Sequence, residues 1–572
     1  MSRARRLGLG LLLPLLALLA LSRALVPAAP SAVAFDPARR LWTGVYHVHT
    51  TRSDGSGTPA EVARAAAEAG REFVILTDHG DGTRDPLPPA YMSGVLVIDA
   101  VEISTTDGHY VALDLARSPY PLAGEGRDVA DDVARLSGFG ILAHPDSARP
   151  SLAWTDADTR GDGLELLNAD SAWRDEPGAG LARGLLAYPW RPASVLATML
   201  SYPADLLARV DAPIGIDDGS RLALAGVDAH ARVGWSRGDD PMDSPRALAR
   251  LPGYVASFGT FGLAMSWAEG SGPSGDATTD ARAVLDSLRA GTMHVVVFAL
   301  ADAAPLRLRA RTATQEFMPG SRVTSGEPIT LQVDVPQMDG ASVRLLRDGR
   351  PWRDQSGGTT LTAAIAPGEP PATYRAEVWL PRRWRQPTLP WMISQAIRVT
   401  RARPDEPVAV AAHTAPPGVT PAATPLTGTW HVEHDQGSRV TIAQPSADRV
   451  EVHTALGDSP RASQFGAAVV DWPTDVQPAT HISFTGTAPH PMRVSVQVRE
   501  PRGEDGRRWV RSVYFDTTPR DVLIALDDMR PVPPARGPVP RNHLHAVLFV
   551  VDTVNATPGD TRRFSIERLR LQ

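Results

Sequence analysis

Residues 46–61 read YHVHTTRSDGSGTPAE, and this stretch decides how the first half of the chain is built. Side chains alternate faces along a β-strand, so residues two apart point the same way. A strand here aims the imidazoles of His47 and His49 at one spot. Thr58-Pro59-Ala60-Glu61 is a helix start, with Thr as N-cap, Pro in the first helical position and Glu closing a capping box. The two His therefore stand at the carboxyl end of a strand, which passes through a loop bearing Asp54 into a helix. Such a grouping is half of a metal site.

Working outward, the same rhythm recurs to about residue 300. PAEVARAAAEAG (59–70) is an Ala-rich helix ended by Gly70, and EFVILTDHG (72–80) is an apolar strand running into a turn. VLVIDAVEIS and HYVALDL follow as strands, then VADDVARLSG as a helix, GILAHP as a strand, and LELLNAD (164–170) and LALAGVDAH (222–230) as further strands. DARAVLDSLRAGTMHVVVFAL (280–300) closes the region as a helix and a strand. Alternation of this kind predicts a mostly parallel sheet with crossover helices, open or closed into a barrel.

Of the seven His between residues 36 and 300, six sit at the ends of these apolar strands: His47, His49, His79, His109, His144 and His230. Asp54, Asp78, Glu102 and Asp228 are carboxylates in equivalent places, and Asp228 and His230 repeat the two-residue spacing of the first pair. Working residues of α/β folds collect at the carboxyl ends of strands, where loops from different strands converge. A single strand His is usually a packing residue. Six of them with carboxylates would leave too many costly buried polar groups unless an ion organised them. The other His residues are scattered and receive no role.

Composition narrows the chemistry. The chain has 572 residues, 43% hydrophobic and 21% charged, which suits about three domains of ordinary globular character. A net charge of −6 argues against a nucleic-acid surface. With 15 His and no Cys, thiolate metal sites, disulfides and Cys nucleophiles are excluded, so any metal must be held by nitrogen and oxygen. Zn, Mn and Fe all suit such donors.

The motifs HVHT…SDG…TDH…VEIST…GHYVAL…LAHP…VDAH resemble the PHP (polymerase and histidinol phosphatase) metal-dependent hydrolases, over roughly residues 36–300 and in the family's order. The nearest likeness is to the CehA/McbA-type metallohydrolase branch. The resemblance implies a distorted (β/α)7 PHP barrel over residues 36–303, with two or three divalent metals at the strand ends. Carried over by motif, His47, His49 and Asp228 bind a first metal, Glu102 bridges to a second, and His109 and His144 complete the second. Asp54, His79 and His230 hold a third. Asp78 is expected to support the turn rather than to ligate. The resemblance further implies ester hydrolysis by metal-activated hydroxide, with phosphoesters the commonest family substrates and carbamates or carboxylic esters the alternative of the CehA-like branch. A phosphate recruits Arg, whose fork matches its oxygens, and Arg52 and Arg149 are the candidate clamps.

Beyond residue 304 the texture changes. Short alternating segments between Gly/Pro turns predict an Ig-like β-sandwich at 304–402. A Pro/Ala/Thr-rich linker at 403–428 follows, and then an all-β domain at 429–572 whose RWVRSVYFD segment resembles jelly-roll modules of extracellular enzymes. Trp430, Trp472 and Trp509 raise a reading of another class: a cell-surface protein in which this domain contacts glycan or cell envelope and the barrel is a scaffold. At the other end, Arg3, Arg5 and Arg6 precede the apolar run LGLGLLLPLLALLAL (7–21), and the small residues end at Ala34. This reads as a signal peptide over 1–34 and an exported protein, with an uncleaved N-terminal membrane anchor, facing outside the cytosol, as the alternative.

Overall fold

The computed structural model describes residues 15–33, 41–150, 152–156, 159, 161–211, 221–233, 250–267, 271–324, 326–401, 424–426, 428–459, 464–472, 479–501, 506–533 and 535–572. The basic residues ahead of the apolar run, Ala34 and most of the 403–428 linker lie outside them. The chain divides into two compact units. One gathers Met1–Gly80, Asp85–Ala116 and Ala130–Asp405, the other Asp81–Arg84, Arg117–Val129 and Glu406–Gln572.

In the first unit, strand Leu41–Val48 pairs in parallel with Phe73–Leu76, which pairs in parallel with Val95–Asp99. After Ala100 the chain continues as Val101–Thr105. That strand pairs with Gly108–Leu113, which pairs with Phe139–Leu142, both antiparallel. Parallel pairing resumes through Gly163–Asn168 to Leu222–Ala229, which pairs back on Leu41–Val48. The sheet is thus mixed rather than mostly parallel. Only Thr106 and Asp107 separate the paired residues Thr105 and Gly108, and two residues make a hairpin but never a crossover.

Helix Pro59–Glu68 begins as its sequence dictates: Glu61 N donates to Thr58 Oγ1, and Thr58 N donates to Glu61 Oε2 at 2.8 Å. The helix thereby leaves the carboxyl end of the first strand free to face the interior with its His pair.

The expected boundary at 303 does not interrupt hydrogen bonding. His294–Val296 pairs with Met392–Ile393, so one sheet runs on into Ala372–Trp379 and Ser342–Arg347. The four-stranded partner sheet takes Glu316–Phe317, Arg307–Arg311, Ile329–Asp334 and Thr360–Ile365. Two buried devices tie this region to strand Leu222–Ala229. Gln395 accepts from Ala223 N and donates to Ala223 O, each at 2.8 Å. Fully buried Arg375 donates from Nε to both oxygens of buried Asp211 at 2.9 Å and from Nη2 to Arg221 O.

The main part of the second unit is two antiparallel six-stranded sheets. Phe484, Phe515, Phe549 and Phe564 fill the space between them. Trp472 and Trp509 are buried in this core and Trp430 packs against it. Trp430 stays half-buried. Burial of such large aromatic area stabilises the core.

Candidate metal centre

The carboxylate of Glu102 organises the site. It projects from Val101–Thr105 and is 1% exposed. Its Oε2 lies 3.3 Å from His47 Nε2, 3.2 Å from His49 Nε2 and 3.3 Å from His79 Nδ1. Its Oε1 lies 2.9 Å from His109 Nδ1 and 3.2 Å from His144 Nε2. Asp228 adds an oxygen 3.4 Å from His47 Nε2 and 3.3 Å from His49 Nε2. Asp54 lies 3.3 Å from His49 Nδ1, 3.9 Å from His79 Nε2 and 3.1 Å from His230 Nε2. The rings of His49 and His230 stack at 4.1 Å. All nine metal-ligand candidates from the sequence therefore meet in one cluster. His79 stands between Glu102 and Asp54 rather than beside Asp54 alone.

The backbone does unusual work here. His47, His144 and Asp228 have φ of 67°, 31° and 45°, the left-handed region that non-glycine residues seldom occupy. The pairing register slips opposite His47, where Val227 and Asp228 together face that one residue, so the extra residue lies on the strand that carries Asp228. The rings of His47 and His49 converge, at 5.2 Å between centroids.

The donor set fits divalent ions. Nε2 of His47, Nε2 of His49 and Nδ1 of His79 are buried with no hydrogen-bond partner, a costly state unless a cation takes the lone pairs. Three groups of side chains offer ligand atoms within one coordination sphere's reach: His49, Asp54, His79 and His230; His47, His49 and Asp228; His79, Glu102 and His109. Burial alone would lower the pKa of His47, but Asp228, Glu165 and Glu102 outweigh it and hold it well above the ordinary value. His49 is raised likewise against its burial, by Asp54, Asp228 and Glu102. Burial opposes charge on Glu102 and Asp228 too, yet His47 and its neighbours keep both well below the carboxylate range. A cage that pulls protons onto imidazoles in this way holds positive charge, and metal ions compete for those same positions.

Side chains without an assigned role in the sequence complete the centre. Glu165, fully buried, lies 2.5 Å from His47 Nδ1 and accepts from His144 N and from Asn168 Nδ2, each at 2.8 Å. Asn168 Nδ2 also reaches Asp228 Oδ2 at 3.2 Å, while its Oδ1 caps helix Ala169–Asp175. Gly226 leaves the room for Glu165: a Cβ there would stand 2.0 Å from Oε1. The available signal was a lone acid inside the apolar run GLELLN. Arg174 packs its guanidinium on Asp170 and feels the charges of Asp228 and Asp54.

Asp78 faces the turn, accepting from Thr50 N, Thr50 Oγ1 and Ser53 Oγ at 2.7–2.8 Å. Arg52 forks onto Asp99 through both amino groups, so its guanidinium is committed to the fold. Arg149 is exposed on the loop after His144. The cluster is deepest at His47 and His49, each 0% exposed, while the side chains of Asp54 and His230 are 15% and 12% exposed. Its open edge therefore lies at Asp54 and His230.

No family model matches the chain, and no curated protein matches it. Among solved structures it is similar to a two-domain protein of Bacteroides vulgatus described as containing a predicted PHP-like metal-dependent phosphoesterase. That likeness has 13% identity, covers 64% of this chain and 99% of that one, and has a TM-score of 0.29. It is also similar to a family 11 carbohydrate-binding module of a cellulosomal cellulase of Clostridium thermocellum, at 16% identity, over 26% of this chain and 93% of that one, with a TM-score of 0.22. At these scores neither likeness assigns an activity.

Proposed function

We propose that the chain is an exported, multinuclear metal-dependent hydrolase of the PHP type, acting on small esters with phosphoesters favoured. The observation that carries this reading is Glu102, whose two oxygens face five imidazoles, three of them with an orphaned buried nitrogen. In the proposed assignment His47, His49 and Asp228 hold one ion, His109 and His144 a second, and Glu102 lies between the two. Asp54, His79 and His230 hold a third at the open edge. Divalent ions bound there supply a nucleophile near neutral pH by lowering the pKa of water, and they orient the substrate's oxygens.

The chain's own groups set the rest. Glu165 accepts a hydrogen bond from His47 Nδ1, fixing the tautomer that turns Nε2 to the cluster. Asn168 holds both Glu165 and Asp228 in place. Arg174 and Arg149 are the cations available to an anionic substrate. A second reading, hydrolysis of a carbamate or carboxylic ester, is favoured by one observation: Arg52, one of the two clamps expected for a phosphate, is already committed to Asp99.

The test is elemental analysis of the purified protein, with p-nitrophenyl phosphate, bis-p-nitrophenyl phosphate and a naphthyl carbamate assayed on the same sample. Two or three equivalents of metal with phosphoester turnover support the proposal. Metal with carbamate turnover alone transfers it to the second reading. Absence of both metal and turnover overturns it.

A further inference from the structure

The residues just ahead of the anticipated cleavage point are built into the first unit. Ser22 Oγ donates to Leu186 O at 2.6 Å and accepts from Trp190 Nε1 at 2.8 Å. Arg191 donates to Pro27 O at 2.8 Å, Ala28 N to Trp384 O at 2.8 Å, and Arg383 to Ala29 O at 2.9 Å. Ser31 N donates to Leu300 O at 2.8 Å. Val26 is buried against Ala187 and Val195. Cleavage after Ala34 would remove every one of these partners and open the apolar contact beneath Val26.

Residues 15–24 form a helix that leads into this strap. Leu15, Leu16, Leu18, Leu19 and Leu21 are 48–61% exposed, and with exposed Ala17 and Ala20 between them they make every side of the helix apolar. A helix apolar all round belongs inside a protein or in lipid. The residues around its base have the composition of a membrane–water boundary. Trp190 and Trp384 are 43% and 64% exposed and donate to Ser22 and to Ala24 O. Arg23 lies over Trp190 at 5.2 Å and Arg385 over Trp384 at 5.1 Å. Exposed Trp with Arg at the foot of an apolar helix matches the headgroup region of a bilayer, where the ring is half in hydrocarbon and its N–H stays hydrogen-bonded.

We propose that helix 15–24 and the strap behind it are retained and that this helix inserts into an anionic bilayer. Trp190 and Trp384 lie at headgroup depth, and the arginines lie beside the lipid phosphates. Among the described residues no helix is long and apolar enough to cross a membrane. The strap is thus a rigid joint between hydrolase and lipid, and the open edge of the metal centre works at a fixed place near a membrane.

Two measurements test this. The full chain, expressed with its own N-terminus in an exporting bacterial host, is examined by intact mass: a species retaining Ser22–Val33 in the membrane fraction is expected, and a soluble species beginning at Phe35 overturns the proposal. The retained protein is then floated with vesicles of phosphatidylethanolamine and phosphatidylglycerol. Leu15→Asp/Leu19→Asp should lower the vesicle-bound fraction roughly a hundredfold, and Trp190→Ser/Trp384→Ser about tenfold, with unchanged melting of the first unit. Parent-like flotation of both folded variants, or a parent that does not float, refutes the assignment.

Discussion

Replacing Glu102 by Gln keeps the shape of the side chain and removes one charge from the place where most of the cluster meets. Both carboxylate oxygens are in use, Oε2 toward three imidazoles at 3.2–3.3 Å and Oε1 toward two at 2.9 and 3.2 Å. An amide offers an acceptor on one side only and turns N–H groups toward imidazole nitrogens on the other. Opposite unit charges about 4 Å apart in a protein of effective dielectric ~20 attract by about 4 kcal/mol, and a divalent ion feels at least that much. At 1.4 kcal/mol per factor of ten, this predicts metal affinity weakened on the order of a thousandfold. With Glu102 1% exposed, solvent does little to screen the change. The assay is elemental analysis after equilibration against buffered zinc or manganese, with hydrolysis followed on the same sample and circular dichroism as the check on folding. Metal content and activity should fall together in a folded protein. Full metal content in the folded variant would refute the bridging role.

Glu165→Gln should weaken metal binding by about ten- to a hundredfold, because His47 loses the acceptor that fixes its tautomer; an unchanged affinity by competition with a chelator would show that His47 is held by packing alone. Arg174→Ala and Arg149→Ala should each raise KM for a phosphoester about tenfold while hardly changing it for a neutral carbamate, and parallel shifts on both substrates would remove them as anion clamps. Burial holds His294 down at about 4, against ~6.5 unfolded, so the native state refuses a proton that the unfolded chain accepts. Stability is then lost as pH falls below about 6.5, by about 3 kcal/mol in total near pH 4. In chelator-treated protein, His294→Gln should flatten the melting temperature's decline across that window, and an identical decline would discount His294. Arg375→Met strands the buried Asp211 charge and should cost ~3–5 kcal/mol, most of it recovered in Arg375→Met/Asp211→Leu; a double variant as unstable as the single one in denaturant melts would contradict this.

The candidate site was legible to the extent that its residues broke the pattern of their strands. His47, His49, His79, His144, Asp228 and His230 each close an apolar run and His109 opens one, and a polar side chain at such a place has few structural uses. Glu165 lies inside such a run and was passed over, although an acid among LELL carries the same message of an enforced partner. The hairpin at Thr105–Gly108 was readable from its two-residue link but was absorbed into a parallel scheme set by the flanking helices. Arg52 could not be placed from sequence, because its acceptor Asp99 lies on another strand, 47 positions on. The Trp residues of the last domain were equally indeterminate: only the pairing of the two sheets decides which face of each strand is inside.

The least legible feature is also the one that ties fold to chemistry. Residues two apart on a regular strand stand about 6.8 Å apart, whereas the rings of His47 and His49 lie 5.2 Å apart, where left-handed His47 faces the register slip at Val227 and Asp228. Left-handed backbone at a non-glycine residue costs roughly 1–3 kcal/mol, and His47, His144 and Asp228 all carry it. Glycine would relieve each position and remove the side chain that the cluster requires. The strain must therefore be held by what surrounds it. Strand Leu222–Ala229, which ends at Asp228 and Ala229, is fixed at its start by Gln395 on Ala223 and by Arg375 on Arg221 and Asp211. Asn168 and Glu165 fix the other side. On this account the sheet region of 304–402 is a buttress for the metal centre, since it supplies the rigidity that keeps Asp228 facing His47 and His49 when no regular strand geometry would.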